Sequence, residues 1–221
     1  MARRPPVYGL DIETDTTVDG LDPGVAPVIT VALAGDGWVE VLSGRESTIL
    51  LDLDACLRTL PAGVLATWNG AAFDLPFLAD RAGRHGLELG LRLRHDPGLK
   101  VRRPLPGHAG AYRGAWYGHR HLDAYRVYRS DVGPALRVSC SLKSIARLVG
   151  LVPIEVDRAH IHDLSHEALH AYAASDARLA RDLADRRWAS ASRFVDRVGD
   201  LVAAAASGSH VRGAVPQPGV A

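Results

Sequence analysis

Four acidic residues and one phenol stand out for the chemistry their spacing permits. Asp11 and Glu13 end the apolar, β-prone run VYGLDIET, and alternation along a strand turns residues two apart toward the same face. Asp74 follows in WNGAAFDLPFL, where Asn69-Gly70 makes a tight turn and a strand feeds a helix. Tyr172 and Asp176 are four apart in YAASD, which places them on one helix face with Leu169, Ala173, Leu179, Ala180 and Leu183. A carboxylate on an otherwise apolar stripe is costly unless a cation or a basic side chain meets it. Ligation by several carboxylates suits hard cations such as Mg²⁺ or Mn²⁺ better than zinc.

The same stretch, HEALHAYAASD, contains a competing pattern. His166 and His170 are one helical turn apart with Glu167 between them, the HExxH spacing of zinc peptidases. Asp176 even falls where a third ligand would sit in an extended form of that motif. Two departures count against the zinc reading: Ala173 stands where a glycine must turn the chain, and no glutamate follows Glu167. It also leaves DIET and WNGAAFDLPFL without a role. His166, next to a Ser165 helix cap, is more simply a first-turn residue facing water.

The elements that must carry these residues can be read from period and punctuation. VYGL (7–10), APVITVAL (26–33), WVEVL (38–42), GVLATW (63–68) and HLDAY (121–125) have strand character, with GDG at 35–37 as a hairpin turn. Ile49, Leu50, Leu53, Leu57 and Leu60 follow the helical repeat until Pro61. Residues 73–86 form a second helix that tolerates Pro76 in its first turn, and SLKSIARLVGL (141–151) forms a third with a Ser cap. An Ala-rich helix runs from Ser165 through Trp188, and as far as residue 203. Residues 92–121 are rich in Gly and Pro and carry seven Lys and Arg against the single acid Asp96, so they read as a long basic loop. Three meandering strands followed by strands alternating with helices imply an α/β fold with a mixed five-stranded sheet flanked by helices.

Composition narrows the setting. The 221 residues are 47% hydrophobic and 23% charged, with a net charge of +1, so any field for a charged partner must be local. Two isolated cysteines, Cys56 and Cys140, suit a reducing compartment. The opening stretch MARRPPVYGLDIETD lacks a signal peptide's apolar core and no run approaches a membrane span, so a cytoplasmic location without membrane partners is expected.

DIET (11–14), NGAAFD (69–74) and YAASD (172–176) occur in the order and rough spacing of the three exonuclease motifs of the DEDD superfamily. Over roughly residues 7–188 the chain most resembles the proofreading exonuclease domain of family B DNA polymerases and its stand-alone bacterial relatives. The histidine of one subclass would stand at position 171, which is Ala171; Tyr172 fits the tyrosine subclass instead. The resemblance implies a ribonuclease-H-like domain over 1–203, followed by a flexible tail at 204–221. It implies two-metal hydrolysis of the terminal phosphodiester at the 3′ end of a single strand, with Mg²⁺ or Mn²⁺. Asp11, Glu13, Asp74 and Asp176 would hold the ions, and Tyr172, a poor base at neutral pH, would orient the water. Asn69 and Phe73 would touch the terminal nucleotides, Phe73 by stacking. In the basic loop, Lys100, Arg102 and Arg103 would track the backbone, and Tyr112, Trp116 and Tyr117 would stack bases. Asp123 would support the site or cap a turn. A DNA polymerase or a repair factor is the implied protein partner. Two readings stay open beside a DNA exonuclease: the same chemistry on RNA, and a protein of this fold that holds nucleic acid ends without cutting.

Overall fold

The computed structural model describes residues 4–132, 135 and 139–195. Strand β1 (Val7–Thr14) is central because both its faces are covered. Tyr8, Leu10 and Ile12 alternate toward one layer of helices, while Val7, Gly9, Asp11 and Glu13 turn toward the other. β1 pairs antiparallel with β2 (Val28–Gly35), which pairs with β3 (Trp38–Ser43) across the Asp36-Gly37 turn, where Gly37 has φ 75°. On its other side β1 runs parallel to β4 (Val64–Thr67), and β4 runs parallel to its next neighbour, His119–Asp123.

Beyond that point the sheet exceeds the five strands expected. Leu91–His95 is β5, Tyr112–Trp116 is β6 and His119–Asp123 is β7, giving seven strands in the order β3-β2-β1-β4-β7-β6-β5. Much of the stretch read as a basic loop is therefore sheet. Its arginines misled because they alternate: Leu91 and Leu93 face the helices while Arg92 and Arg94 occupy the other face of an edge strand. Gly114 in β6 leaves room for the helix beneath, where a Cβ would stand 2.5 Å from Leu75 Cδ1. Tyr112 and Trp116 are buried, and the Trp116 indole donates to Asp54 Oδ1 at 2.7 Å. Tyr117 donates to Asp54 and accepts from Arg58, so these rings serve packing and are not a stacking surface.

Helices α1 (Glu46–Thr59) and α2 (Asp74–Arg84) bury Ile49, Leu50, Leu53, Leu57, Leu75, Phe77 and Leu78 on one face of the sheet. On the other face lie α3 (Ala124–Asp131), α4 (Leu142–Leu148) and α5 (His166–Arg186), packed through Val127, Tyr128, Ile145, Leu179 and Leu183 onto Val7, Val64 and Leu122. Ser165 caps α5 as its sequence implies, accepting from the Ala168 amide at 3.2 Å. α5 stops at Arg186 and a short turn, Trp188–Ala191, follows; residues 196–203 and the tail 204–221 lie outside the described residues. Among the described residues no helix is long and apolar enough to cross a membrane.

Candidate active site

Close packing of β1 on α5 assembles the acids. A Cβ on Gly9 would stand 1.9 Å from the Ala177 carbonyl oxygen, so the absent side chain lets helix and strand touch. Ala32, Ala34, Ala173 and Ala177 form the small-residue layer beside that contact. Asp11 is two residues along the strand from Gly9, and Asp176 adjoins Ala177 on the helix. Ligand oxygens of Asp11, Glu13 and Asp176 consequently lie within 4.8 Å of one another. Glu13 and Asp176 are buried, and Asp11 Oδ2 is a buried oxygen with no hydrogen-bond partner.

The second segment is set by Asp123. Asn69 takes the left-handed conformation (φ 71°), and Gly70 must be glycine because a Cβ would lie 2.2 Å from Thr67 Oγ1. Asp123 accepts from the amides of Asn69 (2.9 Å) and Ala71 (3.3 Å), and caps α3 by accepting from the Tyr125 amide at 3.1 Å. It thus does both of the things its sequence position suggested. The turn it holds delivers Asn69, Phe73 and Asp74 to one cleft of about 580 Å³, which Asp11, Glu13, Tyr172 and Asp176 also line. Phe73 leans on Phe77, with ring centroids 5.3 Å apart, so it packs and still faces the cleft. Asp74 lines the cleft from the first turn of α2 but stands apart from the three-oxygen cluster.

Two cations that sequence reasoning missed border the acids. Lys143, on α4, forms an ion pair with Asp176, and its Nζ lies 4.4 Å from the Tyr172 ring centroid. Arg158 reaches the cleft from the 3-10 turn Arg158–Asp163. The one signal for Lys143 is its place between the buried Leu142 and Ile145, where a cation needs an anionic partner. Lys100, Arg102 and Arg103 are exposed and do not line the cleft.

Burial dominates the electrostatics. It pushes Asp11 up to about 6, against the pull of Lys143 and Arg158. Glu13 and Asp74 are driven well above the usual carboxylate range by burial and then by the Asp11 charge. Burial lowers Lys143 to about 8 and raises Tyr172 above the usual phenol value, so Tyr172 stays protonated. Crowded carboxylates with an unused buried oxygen fit a divalent cation, and an all-oxygen donor set fits a hard one. The histidines of the HExxH string do not join this cluster: both turn to Ser43 on β3, and Asp176 faces the acids.

The model of the RNase H superfamily, RNase_H_2, matches residues 9–161. No curated protein matches the chain. Among solved structures it is similar to the family B DNA polymerase from the hyperthermophilic archaeon Pyrobaculum calidifontis, with TM-score 0.68 and 19% identity over 84% of this chain. The match spans 25% of the polymerase chain, and at that identity it speaks for the fold alone.

Proposed function

The chain belongs to the RNase H superfamily, and from that premise we propose that it is a metal-dependent 3′–5′ exonuclease acting on single-stranded DNA. The observation that carries the reading is the convergence of Asp11, Glu13 and Asp176 within 4.8 Å, in a cleft shared with Tyr172, Asp74 and Phe73. Two divalent cations, Mg²⁺ or Mn²⁺, would supply charge to activate a water and steady the leaving oxygen. Asp11, whose buried Oδ2 has no other partner, would hold them together with Glu13 and Asp176, and Asp74 would contribute from the first turn of α2. Tyr172, protonated by burial, orients the water through its hydroxyl. Asn69 and Phe73 meet the terminal nucleotides, Phe73 through its ring face. Lys143 balances Asp176 when no cation does. The proposed domain runs over 1–203 with a tail at 204–221, works in the cytoplasm, and serves a polymerase or a repair factor.

The test is incubation with 3′- and 5′-labelled single strands of DNA and RNA, with Mg²⁺ or Mn²⁺ and then with EDTA. Stepwise loss from the 3′ end of DNA, stopped by EDTA and absent in Asp11→Ala and Asp176→Ala, is expected. Faster loss from RNA would reassign the substrate. Binding without cleavage under every metal condition would leave an end-binding protein in place of the nuclease.

A further inference from the structure

The HExxH string is not absorbed by the acidic site, yet its two histidines are arranged in a way that chance spacing does not require. His166 and His170 occupy the first two turns of α5, with ring centroids 3.8 Å apart. Both aim the same nitrogen at one atom: His166 Nε2 lies 3.1 Å and His170 Nε2 2.9 Å from Ser43 Oγ. Ser43 ends the edge strand β3. A hydroxyl has one proton, so it donates to only one of the rings at a time. The other ring meets the same oxygen as an Nε2–H donor; with both rings as Nδ1–H tautomers, the two nitrogens instead turn two lone pairs toward one point, where a single acceptor of both would satisfy them.

From this convergence we propose that His166 and His170 form a second metal site, an exchangeable two-imidazole site for late first-row cations such as Zn²⁺, Cu²⁺ or Ni²⁺. Imidazole prefers these ions, whereas the all-oxygen cluster prefers Mg²⁺ or Mn²⁺, so donor chemistry separates the two sites. Zn–N bonds are about 2.0–2.1 Å, which requires the nitrogens to be within about 4.2 Å of each other. With ring centroids 3.8 Å apart and both Nε2 atoms turned to one oxygen, side-chain rotation alone can bring the nitrogens to that limit. His170 is held below the usual histidine value by burial and by His166, which keeps it in the neutral form that binds metal. The site differs from a peptidase centre: Asp176 is committed to the acids, and α5 continues through Ala173 without the turn that would bring a third ligand. Water or the Ser43 hydroxyl fills the remaining positions. Occupancy ties edge strand β3 to the start of the helix whose next turns carry Tyr172 and Asp176.

The proposal is tested by binding alone, so its outcome is independent of cleavage. The full chain, stripped with EDTA and returned to saturating Mg²⁺, is titrated with Zn²⁺ by calorimetry, beside His166→Ala/His170→Ala and the milder His166→Gln. Wild type should take up one more Zn²⁺ per chain than the double variant, and His166→Gln should bind more weakly than wild type. With Cu²⁺, the electron paramagnetic resonance spectrum should show coupling to two imidazole nitrogens that the double variant lacks. Equal Zn²⁺ uptake and unchanged nitrogen coupling in the variants would overturn the site. Circular dichroism and an unchanged melting temperature confirm that the variants are folded, and a double variant that misfolds leaves the decision to His166→Gln.

Discussion

Asp11 shows most directly what the acidic cluster does to the protein that carries it. Its pKa is raised to about 6 in the fold, chiefly by burial, so folding favours the protonated form. The stability this group contributes is full below the unfolded value near 4 and is lost as pH rises through 6. At pH 8 in EDTA the ionised carboxyl is a penalty, on the order of 3 kcal/mol. Asp11→Asn removes it, and it also relieves Glu13 and Asp74, whose values the Asp11 charge helps to raise. The variant should therefore melt higher than wild type at pH 8, by about 6–12 °C. At pH 5, midway between the two values, about half of the gain should remain, and it should vanish only near pH 4; Asp11→Asn should cut no strand at any of these pH values. A melting difference independent of pH, followed by calorimetry from pH 4 to 8, would mean that the cluster is not strained by its own charge. Tyr172→Phe keeps the ring and loses the hydroxyl, so cleavage should slow without a fall in melting temperature.

The acids meet because two elements touch, and that contact depends on one missing side chain. Gly9→Ala places a methyl group against the Ala177 carbonyl, and the helix must yield. A loss of about 1–3 kcal/mol in stability is expected, together with weaker Mg²⁺ binding and slower cleavage as Asp176 moves from Asp11. Gly83, in α2, is the contrast: a Cβ there meets nothing within 4 Å. Gly83→Ala should stabilise by about 0.5–1 kcal/mol through helix propensity and leave cleavage unchanged. If both substitutions behave alike in denaturation, close approach is not what Gly9 provides. The pair also marks what a sequence can reveal about elements. The helical face of Tyr172 and Asp176, the Ser165 cap and the Asp36-Gly37 hairpin were legible because their signals are local. The need for glycine at position 9 was not, since it is imposed by a helix far along the chain. β5 and β6 were missed because Leu-Arg alternation on an edge strand has the composition of a loop.

Across the whole molecule the net charge of +1 supplies no general attraction for nucleic acid, and the centre of the cleft is acidic. A strand entering it must be met by cations placed there by tertiary structure. Lys143 and Arg158 could not be assigned to the cleft from sequence for that reason, while the conspicuous Lys100, Arg102 and Arg103 are exposed elsewhere. Arg129 also lines the cleft, beside Tyr125. This distribution sets the salt dependence of binding. Each phosphate neutralised on a single strand contributes about −0.7 to the slope of log K against log salt. Three cleft cations then give a slope of about −2, measured by anisotropy on a labelled single strand with Asp11→Ala, which binds without cutting. Removing Lys100, Arg102 and Arg103 together should leave that slope unchanged, whereas Arg158→Ala should make it shallower by about 0.7. A slope near −4 that falls back toward −2 in the triple variant would instead route the strand across residues 96–111, with the exposed basic stretch as its track.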